Sequence, residues 1–144
     1  SYGDRAANAV MAALKLRYRL LPYLWKALQQ ACETGLPVQR PMAVAFPDDP
    51  AAWGFELQFM FGADILVSPI VRAHGIGKTY LPAGNWRHLV THELIAGGRV
   101  VNHQLDLESM AVYVQEGATI PFGPAVQHTG QIGDSPLIEE TCKY

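Results

Sequence analysis

The longest stretch of regular hydrophobic periodicity lies near the start of the chain, between residues 10 and 32. Apolar or aromatic side chains recur there every three or four positions, the spacing of one helical face: Val10, Leu14, Tyr18, Leu21, Trp25, Leu28 and Cys32. We expect a helix over residues 5–33, capped by Asp4 and ended by Gly35. Because the face is broad and carries two aromatic side chains, it predicts burial against a large apolar surface.

Pro22 lies in the middle of this predicted helix. A proline inside a helix removes a backbone hydrogen bond and clashes with the preceding turn, at a cost of about 3 kcal/mol. The chain therefore either bends here or forms two helices with a break at Leu21. The apolar period continues through Pro22 without a change of phase, so we favour a single kinked helix.

The next apolar run, Val38–Phe46, is short, is flanked by prolines and predicts a buried strand. A proline-rich turn follows, and residues 51–61 then predict a short amphipathic helix whose inward side chains are Trp53, Leu57 and Met60. Helix, glycine and buried strand form one unit of an α/β fold. Because the first 62 residues provide no neighbour for this strand, the pattern indicates a piece of a larger fold.

From Asp64 onward, short apolar segments alternate with glycine and proline turns, which is typical of an antiparallel sandwich or barrel. Ala83–Asn85 and Ala96–Gly98 are predicted hairpin turns. The segment Ala111–Gln115 has few polar positions and predicts a strand that is covered on both faces. The pattern is lost over residues 128–144, which we interpret as a tail or the start of a further element.

Composition narrows the class of protein. The chain has 144 residues, 49% of them hydrophobic, and a formal charge of -2, which predicts a globular core and gives no basic face for nucleic acid or an anionic membrane. No apolar run reaches the roughly 20 residues of a membrane span. The opening residues form no signal peptide and lack methionine, so we expect an internal start. Two distant cysteines, Cys32 and Cys142, favour a reduced, cytoplasmic chain.

The carboxylates suggest structural roles. Asp48 and Asp49 lie in the proline-bounded turn and can bond back to the backbone. Asp64 begins an apolar strand, where burial would require a partner, and Arg40 is the expected one. Glu56 and Glu93 are expected to be solvated.

Other candidate chemistry is weak. His88 and His92 are four residues apart in a strand-and-turn region, where that spacing corresponds to roughly 13 Å along an extended strand and disfavours a shared metal. Trp86 could stack on a sugar, but a core position is favoured. Gly75 and Gly77 form no phosphate-binding loop. We therefore predict no metal and no cofactor.

Six segments, taken in order, resemble glycoside hydrolase family 31, which contains α-glucosidases and α-xylosidases: LRYRLLPYLW, GLPVQRPM, AFPDDP, QFMFGADILVSPI, YLPAGNWRHL and VYVQEGATIPFGP. The resemblance implies an α+β fragment in which the last helix–strand–helix of a (β/α)8 barrel precedes an antiparallel β-sandwich. Residues 1–62 would be the C-terminal end of the catalytic barrel, with Val38–Ala45 as its eighth strand. Residues 63–127 would be the proximal C-terminal β-domain, and 128–144 a tail or the start of a distal domain.

The resemblance also implies that both catalytic aspartates lie upstream, so no catalytic residue is assigned here. Residues Ser1–Asp4 and Phe46–Asp49 would then be candidates for the rim of the pocket. The expected function is the structural C-terminal portion of a retaining α-glycosidase acting on oligosaccharides or glycosides. The alternative is a non-enzymatic module that binds carbohydrate or a partner through its β-part. In both cases an uncovered helix face would promote self-association or docking to the rest of the barrel.

Overall fold

The computed structural model describes residues 3–69, 71, 76–104, 110–124 and 140–144. Four helices lie in the first 53 residues: α1 (Gly3–Arg19), α2 (Leu21–Thr34), α3 (Met42–Ala45) and α4 (Pro50–Trp53). The strands are β1 (Gln39–Pro41), β2 (Phe59–Phe61), β3 (Ile65–Ser68), β4 (Ile76–Leu81), β5 (Asn85–His88), β6 (Leu94–Ala96), β7 (Arg99–Gln104), β8 (Ala111–Gln115), β9 (Thr119–Phe122) and β10 (Glu140–Lys143). No helix in the described ranges is long and apolar enough to cross a bilayer.

A six-stranded antiparallel sheet in the order β1-β2-β3-β8-β5-β6 forms the middle of the molecule. Side chains alternate between its two faces because successive residues of a strand point to opposite sides. One face packs against the two-stranded sheet β4–β7, through a cluster that includes Leu66, Trp86 and Tyr113. The other packs against α2 and the pair β9–β10, through a cluster that includes Ile65 and Val114. The antiparallel β-architecture predicted from Asp64 onward is confirmed.

Strand β8 and the end of α2 agree with the sequence predictions. The first four residues of β8 are all buried, so this strand is covered on both faces. Helix α2 ends at Thr34, and Gly35 follows with a φ of 74° while its N–H donates to the carbonyl of Ala31. A left-handed backbone of this kind is the conformation that glycine adopts without strain.

The prediction of one kinked helix is wrong, because the chain forms two helices on either side of Leu20. Pro22 lies in the first turn of α2, where its missing N–H would have had no helical partner. Proline is therefore compatible with α2 as observed. Asp4 is also not a cap: it lies in the first turn of α1, which begins at Gly3.

The strand and helix predicted over residues 37–61 are each much shorter than expected. Only Gln39–Pro41 is extended, and it pairs antiparallel with β2 at the edge of the six-stranded sheet. The assignment of Val38–Ala45 to the eighth strand of a barrel stays a prediction, because β1 is an edge strand whose other side is unpaired within the described residues. Residues 50–53 form the one-turn helix α4, and residues 59–61 form β2 instead of continuing the helix.

The two predicted hairpin turns connect different sheets. Residues 82–84 lead from β4 to β5, and residues 97–98 lead from β6 to β7. The two connections lie side by side, because Gly97 N–H donates to the carbonyl of Gly84 and Gly98 N–H to that of Leu81, each at 2.7 Å. A Cβ at Gly97 would collide with the carbonyl oxygen of Pro82.

The end of the chain returns to the β-part: Glu140–Lys143 pairs with β9, and Tyr144 is buried. Residues 128–139 lie outside the described residues, so the predicted tail is described only over its last five positions. The division into 1–62, 63–127 and 128–144 stays a prediction. In the structure, strands from both sides of position 62 belong to one sheet.

Candidate functional site

The helix pair α1–α2 carries two apolar faces. The face that contacts the sheet cluster consists of Leu16, Leu20 and Tyr23, with Ala27 also buried. The face predicted from the sequence lies elsewhere: within α2, Trp25 and Leu28 are roughly 140° around the helix from Tyr23 and Ala27 at 3.6 residues per turn. A helix that is apolar on two sides is typical of an element placed between two layers.

The second face is uncovered in this chain. We name it the helix stripe and define it by its exposed apolar members: Val10, Met11, Leu14, Trp25 and Leu28. Their side chains are between 37% and 65% exposed, with Trp25 the most exposed. Exposed apolar residues gathered on one element mark an interaction surface. The expectation that the predicted face would be left open is confirmed for five of its seven members, including Cys32, which is also exposed. The other two, Tyr18 and Leu21, are half-buried.

Tyr23 joins the helix pair to the sheet. Its hydroxyl donates to the carbonyl oxygen of Phe61 at 3.0 Å and to Asp64 Oδ2 at 3.3 Å. The same hydroxyl oxygen accepts a hydrogen bond from the Asp64 N–H at 3.1 Å. The pKa of Tyr23 is raised above its ordinary value, mainly because the side chain is buried. The nearby Asp64 carboxylate raises it further. The phenol therefore stays protonated as a donor. Gly62, with a φ of 67°, allows this close approach, since a Cβ there would collide with the Tyr23 hydroxyl.

The predicted Arg40–Asp64 pair is wrong. Arg40 is buried, but its guanidinium donates to the carbonyl of Pro37 and to Gln30 Oε1, each at 3.0 Å. Asp64 instead has Tyr23 as its partner. The charged side chain of Arg40 thus secures the loop after α2 to the helix itself.

Asp49 has a structural role on both carboxylate oxygens, as the turn pattern predicts. Oδ1 accepts from Ala51 N–H at 3.2 Å at the start of α4, and Oδ2 accepts from the Tyr80 hydroxyl at 2.8 Å. Asp48, Glu56 and Glu93 are exposed. Trp53 and Leu57, predicted to face inward, are 49% and 61% exposed, whereas Met60 is buried as predicted.

Trp86 is a core residue, as favoured from the sequence. It is fully buried and its indole N–H donates to the carbonyl of Pro82 at 2.9 Å, so its ring is closed to a sugar. Gly77 lies in β4, not in a phosphate loop, and Gly75 is outside the described residues. Of the predicted rim, Asp4 is exposed and Ser1 and Tyr2 are outside the described residues.

His88 and His92 are joined by a turn, not spread along a strand, because His92 N–H donates to the carbonyl of His88 at 2.9 Å. His88 Nδ1 accepts from Val90 and Thr91 N–H, and its Nε2 lies 3.0 Å from the carbonyl oxygen of Met110. These contacts on both ring nitrogens hold the imidazole in the turn. Over the described ranges, no three His, Cys, Asp or Glu side chains are grouped to hold a metal ion.

Three structural residues were missed by the sequence reasoning: Tyr23, Gln58 and Tyr80. Each makes a hydrogen bond to a residue more than 20 positions away. Only Tyr23 could have been noticed from the sequence, because it lies next to the predicted helix face and a buried tyrosine hydroxyl usually has a hydrogen-bond partner.

Residues 35–120 match the model of the glycosyl hydrolase family 31 C-terminal domain, more than half of the chain. The chain belongs to glycoside hydrolase family 31. The match begins at Gly35, the residue that ends α2, so it contains the sheet and excludes the helix pair.

Known members of family 31 are similar over most of this chain. It is 31% identical to α-glucosidase 2 of Bacillus thermoamyloliquefaciens over 90% of this chain, and 33% identical to an α-xylosidase of Saccharolobus solfataricus over 80%. Its fold matches that of a family 31 dextranase of Flavobacterium johnsoniae complexed with isomaltotriose, with a TM-score of 0.87, 28% identity and 95% of this chain covered. The chain spans 16% of each of the two relatives and 17% of the dextranase.

Proposed function

We propose that the chain is the C-terminal portion of a retaining α-glycosidase that hydrolyses α-glucosides or α-xylosides in carbohydrate metabolism. Its own role is structural: the sheet buttresses a catalytic barrel and the helix pair closes it. The catalytic aspartates lie upstream. The support for the activity is the similarity to an α-glucosidase and an α-xylosidase.

The observation that carries the structural role is the helix stripe. Helix α2 buries Tyr23 and Ala27 against the sheet and leaves Trp25 and Leu28 open on another side. Burial of apolar area stabilises a contact by roughly 25 cal/mol per Å², so the stripe favours a second apolar layer. The remainder of a barrel is the layer that the family membership suggests.

The carboxylates agree with an upstream catalytic pair. A retaining glycosidase uses two carboxyl groups about 5 to 5.5 Å apart, one of them as nucleophile. The Asp49 carboxylate accepts hydrogen bonds from Ala51 N–H and the Tyr80 hydroxyl, and the Asp64 carboxylate accepts one from the Tyr23 hydroxyl. That no residue of this chain is catalytic stays a prediction.

A chimera tests the proposal. The chain replaces the aligned segment of the Bacillus α-glucosidase, and hydrolysis of a nitrophenyl α-glucoside is measured. We expect the chimera to be active and the isolated chain to be inactive. The double variant Trp25→Glu/Leu28→Glu should lower the activity of the chimera at least about tenfold, since about 1.4 kcal/mol of lost docking energy corresponds to that factor.

The control is Val90→Glu/Leu94→Glu, because these two side chains are exposed to a similar degree but lie in the β-part. This variant should keep the activity of the chimera. Hydrolysis by the isolated chain, or equal activity of the stripe variant and the control, would contradict the structural role.

A further inference from the structure

Arg40 is a buried cation whose side-chain hydrogen bonds go to neutral oxygens. Its side chain is 8% exposed. Its Nε donates to the carbonyl of Pro37 and its Nη2 donates to Gln30 Oε1, each at 3.0 Å. No carboxylate among the described residues forms an ion pair with it, and the Asp64 carboxylate bonds to Tyr23 instead. Burying a charge is unfavourable unless an opposite charge accompanies it, so the surroundings of Arg40 favour an anion.

The guanidinium is held in position and has further donors. A guanidinium carries five N–H donors in one plane, and Pro37 and Gln30 accept from two of them. Within the described ranges nothing accepts from Nη1. The remaining N–H groups lie on Nη1 and Nη2, a pair of nitrogens that can bind one carboxylate through two parallel hydrogen bonds. Because the two neutral oxygens already fix the plane of the group, a carboxylate would meet donors that need little further ordering.

Arg40 lies in the outermost strand of the six-stranded sheet. Strand β1 pairs with β2 on one side, and no described strand lies on its other side. Gly62 N–H donates to the carbonyl of Val38 at 2.7 Å, so the alternation of an antiparallel pair directs the backbone groups of Val38 and Arg40 towards β2. The backbone groups of Gln39 point outward by the same alternation, and Gln39 and Pro41 are exposed. An edge of this kind is a place where another segment of chain can pair.

We propose that Arg40 binds the carboxylate of an aspartate or glutamate that the polypeptide upstream of this chain supplies in the parent enzyme. The inference rests on the proposed function and names the chemical group that docks beside β1. Charge complementarity favours this partner over a further apolar layer. The chain matches only 16% of the length of the Bacillus α-glucosidase, so most of that enzyme lies outside the matched region.

The role of Arg40 differs from that of the helix stripe. Gln30, which holds the guanidinium, lies roughly 140° around α2 from Trp25 at 3.6 residues per turn. An apolar contact has no directional preference, whereas a charge pair fixes the register of a docked segment. The helix stripe therefore provides the apolar area of the contact, and Arg40 provides its orientation.

The test compares the chimera with the Bacillus α-glucosidase and the isolated chain. Urea unfolding of both is followed by tryptophan fluorescence. Arg40→Met removes the charge and keeps a long side chain, and Arg99→Met is the matched control. Arg99 Nε also donates to a carbonyl three positions earlier, that of Ala96 at 3.1 Å, but the Arg99 side chain is exposed.

Arg40→Met should lower the urea midpoint of the chimera by at least about 1 M more than that of the isolated chain, because it leaves a buried carboxylate unpaired in the chimera alone. Arg99→Met should leave both midpoints within about 0.3 M. Arg40→Lys keeps the charge and should recover part of the loss, which a role in packing alone would not produce.

Equal shifts of the chimera and the isolated chain by Arg40→Met would overturn the proposal, since the guanidinium would then act only within this chain. Loss of self-association of the isolated chain on Arg40→Met, measured by light scattering, would assign the carboxylate to a second copy and would also overturn it. Failure of the proposed function is distinguished from both results, because it leaves the unsubstituted chimera folded but inactive.

Discussion

The central sheet and the helix pair are covered to different degrees by the same chain. In β8, Tyr113 and Val114 point to opposite faces and are both nearly inaccessible, because β4–β7 covers one face and α2 with β9–β10 covers the other. In α1 no residue is buried at all, and α2 buries two. The described residues cover both faces of the sheet, whereas they leave one group of apolar side chains on the helices exposed.

From this difference we expect stability and association to depend on different regions of the molecule. Substitutions in the sheet should change the free energy of unfolding, and substitutions in the helix stripe should change association. Two tryptophans, one in each region, make the comparison direct.

The largest effect is expected for Trp86→Ala. The ring is fully buried and its N–H is bonded to Pro82, so removing it leaves a cavity and should cost about 3 to 5 kcal/mol of unfolding free energy in urea denaturation. Trp25→Ala, at a side chain that is 65% exposed, should cost no more than about 0.5 kcal/mol. Equal losses for the two variants would show that the helices are as well covered as the sheet.

Tyr23→Phe tests the junction between the two regions. The change removes only the hydroxyl, but it leaves the Asp64 N–H and the Phe61 carbonyl without this partner, so we expect a loss of about 1 to 3 kcal/mol. The control is Tyr18→Phe, since the Tyr18 hydroxyl has no hydrogen-bond partner among the described residues. If both variants unfold at the same urea concentration as the unmodified chain, Tyr23 does not link helix to sheet.

We expect the interface of the two sheets to depend on pH through His103. Burial, with a smaller effect of nearby His88, lowers the pKa of His103 below its ordinary value of 6.5, and its ring nitrogens have no hydrogen-bond partner in the described part of the chain. The unfolded chain then binds the proton more readily. The free energy of unfolding should be fully present above about pH 6.5 and should decrease as the pH falls through the lower pKa of the folded state.

Urea denaturation between pH 7.5 and 5 measures this dependence. His103→Leu should flatten it, whereas His92→Asn should not, because His92 is exposed and asparagine tolerates its φ of 59°. Identical pH profiles for both variants would assign the acid sensitivity to other groups.

The smallest effect on folding is expected for the helix stripe. Val10→Lys/Trp25→Lys should leave the unfolding free energy within about 0.5 kcal/mol and reduce the self-association that we expect of the isolated chain, as measured by light scattering. Val90→Lys, also exposed, is the control. A chain that is monomeric before any substitution would contradict the expected self-association.

Local features could be predicted from the sequence because their causes are local. Gly35 ends a helix because glycine adopts the left-handed backbone without strain. The run Ala111–Gln115 has so few polar residues that it predicts a strand buried on both faces. Periodicity predicted the apolar face of the helices, and the resemblance to the end of a barrel predicted that it would be uncovered. The same periodicity concealed the break at Leu20, because apolar residues on two faces give an unbroken pattern in which a change of helix is not visible.

Features that depend on distant partners could not be predicted. The turns at Gly84 and Gly97 resemble hairpin turns, but β4 pairs with β7, which lies beyond both of them in the chain. The partner of Asp64 is a tyrosine 41 positions earlier, and no local pattern favours it over Arg40. The short extent of β1 could not be predicted for the same reason, since the length of a strand depends on the strand with which it pairs.

The contact between the two sheet-crossing connections has a mechanical consequence. Gly84 and Gly97 join β4–β7 to the central sheet at the end where Leu81 faces Arg99. These hydrogen bonds hold the Leu81 end of the small sheet against the central sheet. Because a Cβ at Gly97 would collide with the carbonyl oxygen of Pro82, a side chain at this position would separate the two sheets at that end.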